Sequence, residues 1–289
     1  MHIDTQSFSP RPGKRVDLRD WPTFVPPLFR SDTQYQEILA AHVKGLGDRQ
    51  LVHYACARYA VLLILQGMDA AGKDGTIRHI LSGVGPEGCE VFSFKQPSAE
   101  ELRHDFLWRT TRRLPERGRI GVFNRSYYEE VLIVRVHPAI LRGENLPTQL
   151  REDRNLWKDR FRSIVDLERH LYVNGTRIIK IFLHLSKREQ RKRFLARIDT
   201  PHKNWKLQAA DVHERKYWKQ YQQFYGEALS ATNTREAPWH VVPADDERNA
   251  RLIASRIVMD TFDGLKMRYP QPSAAASRKL QAIRRKLAG

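Results

Sequence analysis

Nine residues, Gly67-Met-Asp-Ala-Ala-Gly-Lys-Asp-Gly75, follow the apolar run Ala60-Val-Leu-Leu-Ile-Leu-Gln66 and precede a helical stretch beginning near Lys73. Strand, glycine-bounded turn and helix N-terminus together form a concavity of backbone N–H groups. The helix dipole and Lys73 both favour an anion there, so the chemistry of this loop is the gripping of phosphate. Its candidate phosphate contacts are Gly67, Ala70, Ala71, Gly72, Lys73, Asp74 and Gly75. The Gly-x4-Gly-Lys spacing is kept, but Asp74 stands where a Ser or Thr hydroxyl normally holds magnesium. A carboxylate beside bound phosphates is repelled unless a divalent cation lies between them, which makes Asp69 and Asp74 candidate Mg2+ ligands. Each aspartate also fits an ordinary turn or helix-start role, and the glycines fit a plain strand-to-helix turn.

Two further constellations carry charge suited to phosphate. Asn124-Arg-Ser126 ends the third expected strand, and Arg125 is planar and permanently charged, matched to fork-like contact with phosphate oxygens. The alternative for Arg125 is pairing with Glu129 or Glu130. From Lys187 to Lys206 eight basic residues, Arg193, Arg197, Lys203 and Lys206 among them, stand against Glu189 and Asp199. The stretch contains Asp199-Thr-Pro-His-Lys-Asn-Trp-Lys206, a polar, proline-containing break between helical patterns, which reads as a mobile lid over about 187–215. A helix hairpin with a solvated basic face also fits most of these charges.

The elements that position these groups alternate between strand and helix. Strands are expected at 60–66, 89–94, 119–123, 177–185 and 238–243. Helices are expected at 31–59 with a break near Gly45-Leu-Gly47, from Ser98 through about Arg113, over 124–130, from 150 to 173, after a Ser186 cap, and from Asp245 to about Leu265. The pattern implies an α/β fold, a mainly parallel five-stranded sheet with helices on both faces. Ligands in such sheets bind beyond the carboxyl ends of the strands, a rule that brings the loop, Lys95-Gln-Pro-Ser98, Asn124-Arg125 and Ser186 to one rim. Residues 1–30, rich in Pro and basic residues, read as an extended arm, and 266–289 as a basic tail with helical spacing.

With 289 residues and 41% apolar content the chain is expected to form one domain. It lacks an apolar run of membrane-spanning length and a secretory pattern at its start, and its two cysteines have no metal-ligand spacing, so a cytoplasmic protein is expected. The net charge of +17 implies a polyanionic partner: nucleic acid, an anionic membrane surface, or phosphates in chain form. No zinc-finger spacing, RNA-binding aromatic signature or helix-turn-helix register accompanies that charge.

Met68-Asp-Ala-Ala-Gly-Lys-Asp-Gly75, Phe94-Lys-Gln-Pro-Ser98, Gly121-Val-Phe-Asn-Arg-Ser-Tyr-Tyr-Glu129 and Arg197-Ile-Asp-Thr-Pro-His-Lys-Asn-Trp-Lys206 closely resemble the polyphosphate kinase 2 family. The resemblance covers most of the chain. It implies a P-loop kinase-like three-layer fold with a helical lid, which moves the terminal phosphoryl group between inorganic polyphosphate and a nucleotide. It implies catalytic roles for Asp69, Lys73, Arg125 and Glu129, polyphosphate contacts from Lys95, Arg193, Arg197, Lys203 and Lys206, and a nucleotide near Asn124 and Tyr128. Many relatives carry Asp-Arg-Ser where this chain has Asn124-Arg-Ser126, and Asn where it has Glu129. This combination resembles the branch that accepts both AMP and ADP. The expected partners are polyphosphate, AMP, ADP, ATP and guanine nucleotides, with Mg2+ as cofactor, no nucleic acid or membrane, and a homo-oligomer, dimer or tetramer. Rival readings are an ATP-dependent nucleotide kinase and a basic nucleic-acid-binding protein with a vestigial loop.

Overall fold

Val61, Leu63 and Leu65 face one side of the central sheet and Leu62 and Ile64 the other, and all five are removed from solvent. A strand apolar on both faces needs a cover on each, so helices pack on both sides. The structure, a computed structural model, describes residues 3–289. Its strands are β1 (Ala60–Gly67), β2 (Cys89–Ser93), β3 (Ile120–Asn124), β4 (Thr176–His184) and β5 (Trp239–Pro243). They pair in parallel throughout, in the order β2-β3-β1-β4-β5. The longer helices are α1 (Asp32–Cys56), α2 (Lys73–Leu81), α3 (Leu156–Val173), α4 (Lys187–Ile198), α5 (Trp218–Thr232), α6 (Glu247–Gly264) and α7 (Ala274–Ala288). Side chains of α1, α2 and α6 fill one core, and those of α3 and α5 the other. No helix among the described residues is long and apolar enough to cross a membrane.

Because β1 lies between β3 and β4, the chain leaves β1 toward one sheet edge and leaves β3 toward the other. This reversal opens a crevice at the carboxyl ends. The register fixes its walls: Leu65 is opposite Asn124, and Gly67 is opposite Leu183.

Four local expectations are corrected. Helix α1 runs unbroken through Gly45 and Gly47, because Gly47 lies against Gly83; an added Cβ would sit 2.4 Å from the Gly83 carbonyl oxygen. The Ser98 capping box forms, with Glu101 N donating to Ser98 Oγ over 3.2 Å and Ser98 N to Glu101 Oε2 over 2.7 Å. The expected long helix does not follow, since His104 is extended and Asp105 caps a new short turn through Leu107 N. Residues Tyr127–Val131 form a 3-10 turn rather than an α-helix, and α3 starts at Leu156, after Asp153 caps Asn155 N. The N-terminal arm is extended, with two short 3-10 turns, but it is stitched to the body: Val16 N donates to Ser230 Oγ and Leu28 N to Asn249 Oδ1.

Candidate functional site

The loop between β1 and α2 is built on positive φ angles. Gly67 (φ 156°) and Gly72 (φ 98°) adopt them as glycines, and Ala70 (φ 63°) does so with a side chain. A Cβ on Gly67 would meet the Leu183 carbonyl at 2.9 Å, so the close passage against β4 requires glycine. Lys73, buried at 9% exposure, curls back and donates from Nζ to the carbonyls of Gly67 (2.8 Å) and Met68 (3.2 Å). Burial, and then the charge of Arg125, push this ammonium down to about 8, against the opposing pull of Asp69, Glu129 and Asp74.

Asn124 and Arg125 reach the loop from the end of β3. Asn124 Nδ2 donates to Asp74 Oδ1 over 2.7 Å, and Arg125 Nη2 to Asp69 Oδ1 over 2.8 Å. Arg125 Nη1 stands 3.7 Å from Glu129 Oε2. Arg125 itself has φ 63°, and its N–H is fixed on the Leu65 carbonyl at 3.1 Å. A non-glycine residue held in this region stores strain that the surroundings must impose, and such strain gathers at functional sites. The charge of Glu129 raises the guanidinium's proton affinity, burial opposes this, and Asp69 adds to it, so Arg125 is a fixed cation.

Beyond Arg125 the rim opens into a cavity of about 340 Å³, walled by Phe94, Lys95, Arg109, Arg125, Glu129 and Glu144 among others. Arg109 Nη2 donates to the Lys95 carbonyl over 2.9 Å, pinning the strand-end loop. On the far wall Glu144 accepts from Arg160 at 2.7 Å, and burial pushes its carboxyl up to about 7. A larger cavity of about 1230 Å³ lies between the arm and α5, with Lys14, Arg15, Trp21 and Trp218 in its walls and none of residues 67–75.

The expected site residues thus divide. Residues 67–75, Asn124, Arg125 and Glu129 converge, and Lys95 shares the cavity with Arg125. Arg193 adjoins the loop, but its donors are committed to protein: Nη1 to the Ala70 carbonyl (2.9 Å), Nη2 to those of Ala244 (2.5 Å) and Asp245 (3.2 Å), and Nε to Glu189 (3.2 Å). In this arrangement it braces the loop from behind. Arg197, Lys203 and Lys206 make no hydrogen bond or ion pair to residues 67–75 among the described residues. Arg197 holds the Lys206 carbonyl at 3.3 Å, and Lys206 Nζ lies 5.1 Å from the centroid of the exposed Trp205 ring.

Tyr128, expected near the nucleotide, packs into the core. It has no exposed surface, and its hydroxyl lies 2.8 Å from Glu168 Oε1, 2.9 Å from Thr232 Oγ1 and 3.0 Å from Lys180 Nζ. It anchors the turn that carries Glu129 and offers no surface to a nucleotide. Two contributors lay outside the sequence reading. Gln190 donates to the Asp69 carbonyl at 3.0 Å, and Arg109 shapes the cavity mouth. Neither carries a local signal beyond its helical position.

The family model described as "Polyphosphate kinase 2 (PPK2)" matches residues 30–270. The chain is 58% identical to the "ADP-polyphosphate phosphotransferase" of Rhodopseudomonas palustris, over 99% of each chain. It is 43% identical to the "AMP/ADP-polyphosphate phosphotransferase" of Meiothermus ruber, over 94% of this chain and 98% of that one. The crystal structure of polyphosphate kinase 2 from Arthrobacter aurescens superposes with a TM-score of 0.85 at 35% identity, covering 96% of each chain.

Proposed function

The chain belongs to the polyphosphate kinase 2 family and is a polyphosphate:nucleotide phosphotransferase, and we propose that it carries the terminal phosphoryl group of inorganic polyphosphate to ADP and to AMP, reversibly. The observation that supports this reading best is the position of Arg125. One guanidinium bonds Asp69 in the phosphate loop and lines the cavity on its other side. Polyphosphate ending in the loop and a nucleotide entering from the cavity would bring their reacting phosphates to either side of this fixed cation.

The attacking phosphate oxygen is already anionic at neutral pH, so the chain has no need to supply a general base. Its work is alignment and charge neutralisation by loop N–H groups, Lys73 and Arg125. Lys73 would exchange the Gly67 and Met68 carbonyls for phosphate oxygens. Asp69 and Asp74 present hard carboxylate oxygens at the loop, a donor set that fits a small divalent cation shared with water and phosphate, and these two residues would hold Mg2+. A cation held by these two residues would supply neutralisation of phosphate charge. Arg197, Lys203 and Lys206 belong to a segment that closes as a lid and adds cations over the polymer. One phosphoanhydride replaces another, so concentrations set the direction and ATP serves in reverse.

AMP as an acceptor rests on Asn124 and Glu129, and is in keeping with the activity named for the Meiothermus ruber relative. The same cavity would take guanine nucleotides, and the reading includes a cytoplasmic homo-oligomer, dimer or tetramer. The acceptor question is tested by incubating the purified protein with polyphosphate and Mg2+, and with AMP or ADP separately. ADP followed by ATP from AMP alone is expected; ATP from ADP with no product from AMP would remove the second acceptor.

A further inference from the structure

Helix α7 carries Arg278, Lys279, Arg284, Arg285 and Lys286 and no acidic residue, and none of the five enters an ion pair among the described residues. Every residue from 268 to 289 except Ser277 and Ala282 is exposed. At 100° per residue, Arg278, Lys279, Arg285 and Lys286 fall within about a third of the helix circumference. Elsewhere in the chain basic side chains are often spent on carboxylates, as Arg49 is on Asp263, Arg135 on Glu227 and Arg251 on Glu247. The tail therefore presents a one-sided, uncompensated cationic strip.

Its place in the fold adds a second constraint. Helix α6 begins beside the phosphate loop, where Arg193 ties the Ala244 and Asp245 carbonyls to that of Ala70. It ends near the amino-terminal ends of the strands, at the opposite end of the sheet. Phe262 packs edge-on against His53, whose Nε2 meets the carbonyl of Tyr59, the residue before β1. Eighteen residues of helix separate the two ends by roughly 27 Å. The connection to α7 contains Pro270 and Pro272, which favour an extended spacer.

We propose that α7 is a second binding arm for polyphosphate, which holds the trailing part of a long chain whose end lies in the phosphate loop. The inference rests on the polyphosphate reading of the site. A polyanion complements the strip in charge, and a helix is bound by it without any shaped pocket. Attachment at two points makes the second contact intramolecular and raises apparent affinity without a new contact at the reacting end. Only chains long enough to span from the loop to the tail gain, so the arm acts on KM for long chains and leaves turnover alone.

The test uses the full-length protein with Arg278→Gln, Lys279→Gln, Arg285→Gln and Lys286→Gln combined, and a second variant with Leu280→Ser, Ile283→Ser and Leu287→Ser. KM and kcat are measured with long-chain polyphosphate and with a short fraction whose extended length falls below that of α6, alongside molar mass by light scattering. The glutamine variant is expected to raise KM for long chains about tenfold, and to leave kcat, short-chain KM and molar mass unchanged. Unchanged long-chain KM, or an equal rise for both lengths, overturns the arm. A fall in molar mass with lost activity in the serine variant, with no length effect in the glutamine variant, assigns α7 to a second copy of the chain and overturns it too. If the wild type transfers nothing from polyphosphate of either length, the reading of the site itself fails; transfer with KM values that the glutamine variant leaves alone removes only the arm.

Discussion

Arg193 Nη1 donates to the Ala70 carbonyl over 2.9 Å, so the one residue of the phosphate loop that bears a side chain in the left-handed region is held from behind by helix α4. The same guanidinium reaches the Ala244 and Asp245 carbonyls after β5. One planar fork joins three segments, and a point charge cannot replace it.

Arg193→Lys therefore lowers kcat/KM by about 10–100-fold although charge is conserved, because a displacement of the loop misaligns the reacting groups. Stability falls by about 1–3 kcal/mol as buried carbonyls lose partners. Steady-state kinetics and urea unfolding check both numbers. Wild-type kinetics in the lysine variant would show that charge, not the fork, is what matters.

Lys73 links pH to stability. Its ammonium is pushed down to about 8 from an ordinary 10.5. Between these values the unfolded chain binds a proton that the folded chain has released, so stability rises with pH across that window. Below pH 8 both states are protonated and the folded protein bears the full cost of the buried charge. Without ligand, Lys73→Met is expected to raise Tm by a few degrees at neutral pH, with the gain fading toward pH 10.5, and to abolish transfer. A gain in Tm that grows with pH would contradict the sign.

Glu129 stands 3.7 Å from Arg125 Nη1 at the cavity edge. Glu129→Asn is expected to reduce kcat/KM for AMP by at least about tenfold while ADP stays within about threefold. Equal losses for both acceptors would make Glu129 a general support of Arg125, with no part in acceptor choice.

Tyr128→Phe separates a core role from a ligand role. Loss of its hydroxyl leaves Glu168, Thr232 and Lys180 short of a partner, which costs about 1–3 kcal/mol. Nucleotide KM is expected to stay at the wild-type value. A raised nucleotide KM with unchanged stability would return Tyr128 to the site.

What sequence made legible was local. The apolar run of β1, the glycines of the loop and the Ser186 cap, whose Oγ accepts from Glu189 N, are each encoded within a few residues. What it hid depends on distant partners. Gly45 and Gly47 look like helix breakers by propensity, yet the contact of Gly47 with Gly83 turns one into a packing site. Tyr128 adjoins Arg125 in sequence and resembles a site residue, but its partners Glu168 and Lys180 lie 40 and 52 residues away and draw it inward. Arg193 was visible as a charge near the loop; only the carbonyls of Ala70 and Ala244 show which way that charge is spent.

On the proposed reading, the loop from Gly67 to Gly75 delivers phosphate from a polymer to a nucleotide. Polyphosphate carrying a radioactive terminal phosphate, mixed with the protein, Mg2+ and AMP in the absence of ATP, tests it most directly. Label is predicted in ADP first and then in ATP, and in neither with Lys73→Ala or Asp69→Ala, both still folded by circular dichroism. Label that remains in the polymer with wild-type protein whether AMP or ADP is supplied, or transfer that survives in both variants, would overturn that reading.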